Sequence, residues 1–237
     1  MITTVLFDLD GTLLPMDQEG FTRAYFRELA AVCAPLGYAP EAAIDAVWAG
    51  TKAMVTNDGT VYNRERFWDT FAARLGEDVR AAEAQFDAFY EREFHRLKAA
   101  TAPTSLAGAC VDTLRRKGYR LVLATNPLFP AVAVRSRLAW AGVDPAAFVH
   151  ITHYGNSHFC KPNPAYYREI LDRLGATPEA CLMVGNNVEE DMVAATLGLE
   201  VFLVTDCLEG RSERPATAFP HGSLAQFAAA VQAMPSV

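Results

Sequence analysis

Apolar residues along this chain fall into two patterns, short unbroken runs and stripes with helical spacing, and the runs carry the first inference. Residues 4–7, 121–124, 148–152, 182–184 and 201–204 are stretches rich in leucine or β-branched residues. Continuous apolarity over so few residues is what a strand covered on both faces of a parallel sheet shows. Stretches 106–117, 163–174 and 189–197 have helical character. Each ends at a glycine (Gly118, Gly175, Gly198), where a helix C-terminus favours the left-handed conformation. Asn163-Pro164 reads as an N-cap followed by a first-turn proline. Helix, glycine, strand and turn in repetition predict βα units. Right-handed crossovers then bring the C-terminal ends of the strands to one rim of the sheet.

More than a hundred residues separate the first strand from the second, far more than one crossover needs. Residues 21–33, 40–54, 63–75 and 79–99 read as helices, punctuated by Gly37, Gly50, Gly59 and Gly76. The expectation is an α/β fold: a Rossmann-like parallel sheet core from residues 1–16 and 104–237, with an α-helical domain inserted at 17–103. The aromatics of that insert recur at helical spacing and read mostly as its core.

The chemistry concentrates at the tip of the first strand, Val5-Leu6-Phe7-Asp8-Leu9-Asp10-Gly11-Thr12-Leu13-Leu14. Residues two apart on a strand point the same way, so Asp8 and Asp10 converge where Gly11 lets the backbone turn. Two carboxylates so placed can bind a hard divalent cation, and one can attack while the other moves protons. Thr125-Asn126 ends the second strand with a hydroxyl and an amide suited to phosphate oxygens. Lys161, held in a stiff loop by Pro162 and Pro164, can neutralise a charged site. Gly185-Asn186-Asn187-Val188-Glu189-Glu190-Asp191 follows the fourth strand.

Composition narrows the classes. The 237 residues are 51% hydrophobic and 21% charged, which suits a globular chain with an ample core. No apolar run is long enough to span a bilayer, and no leader-like segment precedes the first strand. Five scattered cysteines without a CxxC pair point to reduced thiols and a cytoplasmic location. A net charge of -7 disfavours nucleic acid and anionic membranes as partners, and obliges any phosphate site to supply local positive charge. Neither G-x-G-x-x-G nor a Walker A pattern is present. His150, His153, His158 and Cys160 lie on a strand and its following loop, where their directions diverge, so a metal cluster is not expected there. Arg115-Arg116-Lys117 reads as a solvated helix end.

The four strand-end segments, in their order, resemble the motifs of the haloacid dehalogenase (HAD) superfamily. Phe7 through Leu13 match its D-x-D-G-T-L form, Thr125-Asn126 its second motif, and Lys161-Pro162-Asn163-Pro164 its third. The fourth motif departs: Asn186 stands where the family has an aspartate, while Asp191 keeps the second acid. The resemblance implies a magnesium-dependent phosphohydrolase that cleaves a small phosphomonoester through an aspartyl-phosphate. Asp8 would be the nucleophile and Asp10 the acid and base. Thr125, Asn126 and Lys161 would hold phosphate, and Asp8, Asp10 and Asn186 would hold Mg2+, supported by Asp191. Glu189 and Glu190 are lesser candidates for that support. The insert would be the mobile C1 cap that selects a small phosphorylated metabolite, in a monomer or homodimer. A sugar-phosphate mutase, or another phosphotransferase of the same fold, is an alternative. A haloacid dehalogenase is disfavoured by Asp10, and a non-catalytic binding protein is kept open by Asn186.

Overall fold

Six parallel strands form one sheet in the computed structural model, which describes residues 1–211 and 214–237. They are β1 (Thr4–Phe7), β2 (Arg120–Leu123), β3 (His150–Ile151), β4 (Cys181–Gly185), β5 (Glu200–Val204) and β6 (His221–Gly222), in the order β3-β2-β1-β4-β5-β6. The chain grows outward from β1 through β2 to β3, then returns to the other side of β1 with β4. That reversal leaves a crevice beyond the ends of β1 and β4, the usual ligand position in open α/β sheets. Phe7 pairs with both Leu123 and Val184, so the segments leaving β1, β2 and β4 start level with one another.

Strand alternation divides the core. Val5 and Phe7 face one side with Leu121, Leu123 and Val184, against Phe227 of α8 (Leu224–Ala233) and the apolar stripe of α5 (Ser105–Arg116). Leu6, Val122, Met183 and Leu203 face the other, against Tyr166, Tyr167 and Ile170 of α7 (Pro164–Leu174). Each fully buried Leu, Val or Phe stabilises this arrangement by ~1.5–3 kcal/mol. A one-residue slip of β1 would exchange the two sets.

Four helices occupy the long insertion: α1 (Gln18–Cys33), α2 (Pro40–Val55), α3 (Asn63–Leu75) and α4 (Glu83–Glu91). Asp17 caps α1 by accepting from the Gly20 amide at 3.0 Å. The entering and leaving strands of chain run side by side, with Asp17 N donating to Ala100 O at 2.9 Å and Ala102 N to Pro15 O at 2.7 Å. The start of α3 reaches the loop that carries Lys161. The Asn63 amide donates to Phe159 O at 3.4 Å and lies 3.3 Å from Cys160 Sγ, and its backbone N–H donates to Ser157 O at 2.9 Å.

Several elements differ from expectation. The single helix over 79–99 is a 3-10 segment (Glu77–Ala82), then α4, then a second 3-10 segment (Glu93–Ala100), broken where Arg92 leaves helical geometry. The helix over 189–197 is a 3-10 segment confined to Met192–Leu197. The Asp191 carboxylate accepts from the Asn187 amide at 2.9 Å and holds the preceding residues in a turn. β3 has two residues where five were expected. Helix α6 (Ala131–Trp140) and strand β6 were not anticipated. Among the described residues no helix is long and apolar enough to cross a membrane. All five cysteines are free.

Candidate active site

Asp8 leaves the central strand at the crevice, where its backbone N–H still donates to Val184 O at 2.9 Å. The chain then folds back on itself, with Leu14 N donating to Leu9 O at 2.8 Å. Gly11 makes this turn at φ +80°, and a Cβ there would lie 2.3 Å from Asn186 Nδ2. Both the conformation and the close approach therefore require glycine.

Lys161 is fully buried beneath this turn. Its Nζ donates to Asp8 Oδ1 at 2.8 Å and to Asp191 Oδ1 at 2.6 Å. Burial by itself pushes the ammonium toward neutrality, but the Asp191 and Asp8 carboxylates outweigh it and hold the lysine well above its ordinary value. Asp191 is raised by burial, which the neighbouring Lys161 opposes. One lysine thus fixes two acids from different strand ends.

Thr12 and Asn186 complete the floor. The Thr12 hydroxyl is 2.9 Å from Asn186 Oδ1 and 3.3 Å from Asp8 Oδ2. It has one proton, and the shorter contact makes Asn186 the better acceptor. Asn186 Nδ2 donates to Cys207 O at 2.5 Å, so both ends of the amide are engaged.

The Thr125 carbonyl accepts from Thr152 Oγ1 at 2.7 Å and from Tyr166 Oη at 2.9 Å, which anchors the end of β2. Asn126 Nδ2 donates to Glu190 Oε2 at 3.0 Å, while Asn126 Oδ1 is buried without a partner. Glu190, a lesser candidate in the sequence, therefore belongs to this cluster. Burial pushes its carboxyl up to about 7 despite Lys161 nearby. Glu209 joins it, since its backbone pairs with Asn186 and Val188, and burial with the charges of Asp8 and Asp10 raises its carboxyl.

Asp10 has a partner that the sequence did not disclose. Arg137 of α6 donates from Nη1 to Asp10 Oδ2, with its guanidinium over the Phe129 ring at 4.5 Å. Asp10 Oδ1 and Arg137 Nη2 are buried without partners. Burial raises the Asp10 carboxyl above its ordinary value, with Arg137 pulling the other way. No periodic signal singles out Arg137, because α6 is apolar on several faces.

These loops enclose a cavity of about 140 Å³ lined by Asp8, Asp10, Thr125, Asn126, Asn186 and Asp191, together with Glu190 and Glu209. Lys161 reaches it through Asp8 and Asp191 and does not line it. The histidines stay apart from it: His158 pairs with Glu169 at 2.8 Å, and His153 Nδ1 accepts from the Gly155 amide at 3.1 Å. Among the described residues no three His, Cys, Asp or Glu side chains form a metal shell. The groups at the cavity that could ligate a metal are nonetheless hard oxygens, carboxylates plus the Asn186 amide. That set fits a hard dication which keeps part of its water, and does not fit a thiophilic metal. The acids of the cavity also outnumber the buried cations Lys161 and Arg137, so an incoming phosphate needs further positive charge.

The sequence profile of the haloacid dehalogenase-like hydrolases matches residues 2–197. A phosphoglycolate phosphatase from Rhodospirillum rubrum is 32% identical over 240 residues, covering 96% of this chain and 87% of that protein. Among solved structures, a 2-haloacid dehalogenase from Pseudomonas syringae pv. Tomato superposes with a TM-score of 0.63 at 21% identity, covering 98% of this chain and 99% of that one. A HAD phosphatase from Thermococcus onnurineus superposes with a TM-score of 0.60 at 18% identity, covering both chains fully. The two structural likenesses establish a shared fold.

Proposed function

The chain belongs to the haloacid dehalogenase-like hydrolase family, and from that premise we propose that it is a magnesium-dependent phosphatase of small phosphomonoesters. The carrying observation is Lys161, which holds Asp8 by one oxygen and leaves Oδ2 the freer one at the cavity. Asp8 Oδ2 attacks phosphorus in line, forming an aspartyl-phosphate as the bond from phosphorus to the leaving oxygen breaks. Asp10 delivers a proton to that oxygen. Arg137 occupies Asp10 Oδ2, so the proton resides on the unpartnered Oδ1, and burial keeps the acid form accessible. Asp10 then takes a proton from the water that attacks phosphorus, which frees Asp8 and releases phosphate.

Thr125 and Asn126 hold phosphoryl oxygens, and Lys161 offsets the charge of Asp8 and Asp191. Mg2+ would be held by Asp8, the Asp10 carbonyl and Asn186, and when bound it supplies positive charge to the phosphoryl oxygens. The helices of residues 17–103 act as a cap on the paired connections near Met16 and Thr101. Buried free thiols support a reducing, cytoplasmic setting.

A binding module without turnover is the second reading, favoured by the neutral Asn186 alone. Phosphate release from an aryl phosphate with and without magnesium separates the two. Asp8→Asn should abolish release while circular dichroism and thermal midpoint stay near wild type. Substantial activity in that variant removes Asp8 from the mechanism, and an inactive wild type favours the binding module.

A further inference from the structure

A second cavity opens beside the first and shares Asp10, Gln18, Leu128 and Phe129 with it. Its volume is about 210 Å³. Phe26 and Trp48 form one wall, with ring centroids 5.1 Å apart, and Phe67 and Phe129 form others. The Tyr25 and Tyr90 hydroxyls are 2.9 Å apart at its edge and share one hydrogen bond. Thr22 and Thr51 contribute the small polar groups. No lysine, arginine or histidine lines it among the described residues, and its one carboxylic acid is Asp10. Arg137 stacks on Phe129 outside the cavity lining, with its Nη1 on Asp10 and its Nη2 buried without a partner.

We infer that the alcohol half of the substrate is a neutral, largely apolar group of aromatic size seated in this cavity. The inference rests on the phosphomonoester reading above, since the shared Asp10 is the group that protonates the leaving oxygen. A substrate with phosphorus beside Asp8 must send its leaving oxygen past Asp10, and this cavity is what lies beyond. Size agrees: roughly 150 Å³ of apolar space holds a benzene ring, so this one holds a ring and a short linker. Charge agrees as well. An anionic leaving group would be desolvated among aromatic rings, with no cation in the cavity wall and the Asp10 carboxyl alongside. A neutral ring gains apolar burial and offset contacts with Phe26, Trp48 and Phe129.

The test uses the full chain with magnesium and compares 2-phenylethyl phosphate with phosphoglycolate, which carry the same phosphoryl group on a neutral aromatic and an anionic alcohol. Phosphate release should show kcat/KM about thirtyfold higher for the aromatic ester. Trp48 is 53% exposed at the rim, so its replacement should leave the fold intact. Trp48→Ala should narrow the preference by about fivefold, through a rise in KM. An unchanged preference in that variant, or equal or better turnover of phosphoglycolate by the wild type, overturns the inference and leaves the phosphatase reading standing. If neither ester is cleaved, the aryl phosphate assay decides the phosphatase reading. Calorimetric titration of both esters into Asp8→Asn then decides the cavity. Binding of the aromatic ester about tenfold tighter supports the inference, and equal or weaker binding overturns it.

Discussion

Arg137 grips Asp10 by a single oxygen, from a helix that begins seven residues after Ala124 ends the second strand's apolar run. The guanidinium is 1% exposed and the carboxylate 23% exposed, so the pair sits between the core and the cavity. One carboxyl oxygen is fixed as an acceptor, and the other has no partner. A cation beside the acid favours its charged form while burial favours its neutral form, and the two effects oppose each other at Asp10.

Arg137→Met keeps much of the side-chain volume and removes the donor. Breaking a buried pair from one side costs ~3–5 kcal/mol while the remaining charge persists. Asp10 can take up a proton and borders the cavity, so the expected loss is about 2 kcal/mol, read by urea denaturation. Turnover should fall on the order of a hundredfold with KM little changed, because the acid is no longer oriented. Turnover and stability both within twofold of wild type would deny Arg137 any positioning role.

Lys161 joins Asp8 and Asp191 with no exposure of its own. Lys161→Met should cost ~3 kcal/mol or more, because two buried carboxylates then face each other without a cation. Adding Asp191→Asn should recover part of that stability and none of the turnover. Recovery of turnover in the double variant would limit the lysine's role to packing.

The features legible in the sequence were those with local causes. Asp8, Asp10 and Gly11 announce themselves because strand alternation and the turn both act within a few residues. Asn163-Pro164 marks the start of α7, and the Asn163 side chain accepts from the Ala165 amide at 2.9 Å. Arg137 was hidden because its partner is 127 positions away and its helix carries Arg135 to solvent and Arg137 to the interior two residues later. Glu190 ranked below Asp191 in the sequence, where the 189–197 stretch reads as helical. The Asp191 bond to Asn187 instead makes a turn there, and Glu190 faces Asn126. β6 consists of His221 and Gly222 alone and is held by β5, so nothing local could reveal it.

Asn186→Asp restores the acid of the family motif. The structure argues that this chain is adapted to the amide, because Nδ2 donates to Cys207 O and a carboxylate would place oxygen against oxygen there. Without metal the variant should lose ~1–2 kcal/mol. With metal, the added charge should tighten the apparent magnesium constant by about tenfold. The expected signature is a thermal midpoint below wild type in chelator and a larger rise on adding magnesium. A variant as stable as wild type in chelator would show that the Cys207 contact contributes little.

Glu190 gives a pH dependence of definite sign in the metal-free protein. Its carboxyl is raised from 4.5 to about 7, chiefly by burial, with Lys161 opposing. The folded state therefore binds more protons than the unfolded state between those values, and stability from this group falls as pH rises through that window. Below about 4.5 the contribution is complete, and above about 7 it is gone. Glu190→Gln keeps an acceptor for Asn126 Nδ2 and removes the titration. In chelator the difference in unfolding free energy, wild type minus variant, should decline from pH 5 to pH 8 by up to about 3 kcal/mol. Magnesium should reduce that slope, since a dication nearby favours the carboxylate. A flat difference across the window would mean that Glu190 is solvated in the folded chain, and its place among the acids of the cavity would be lost.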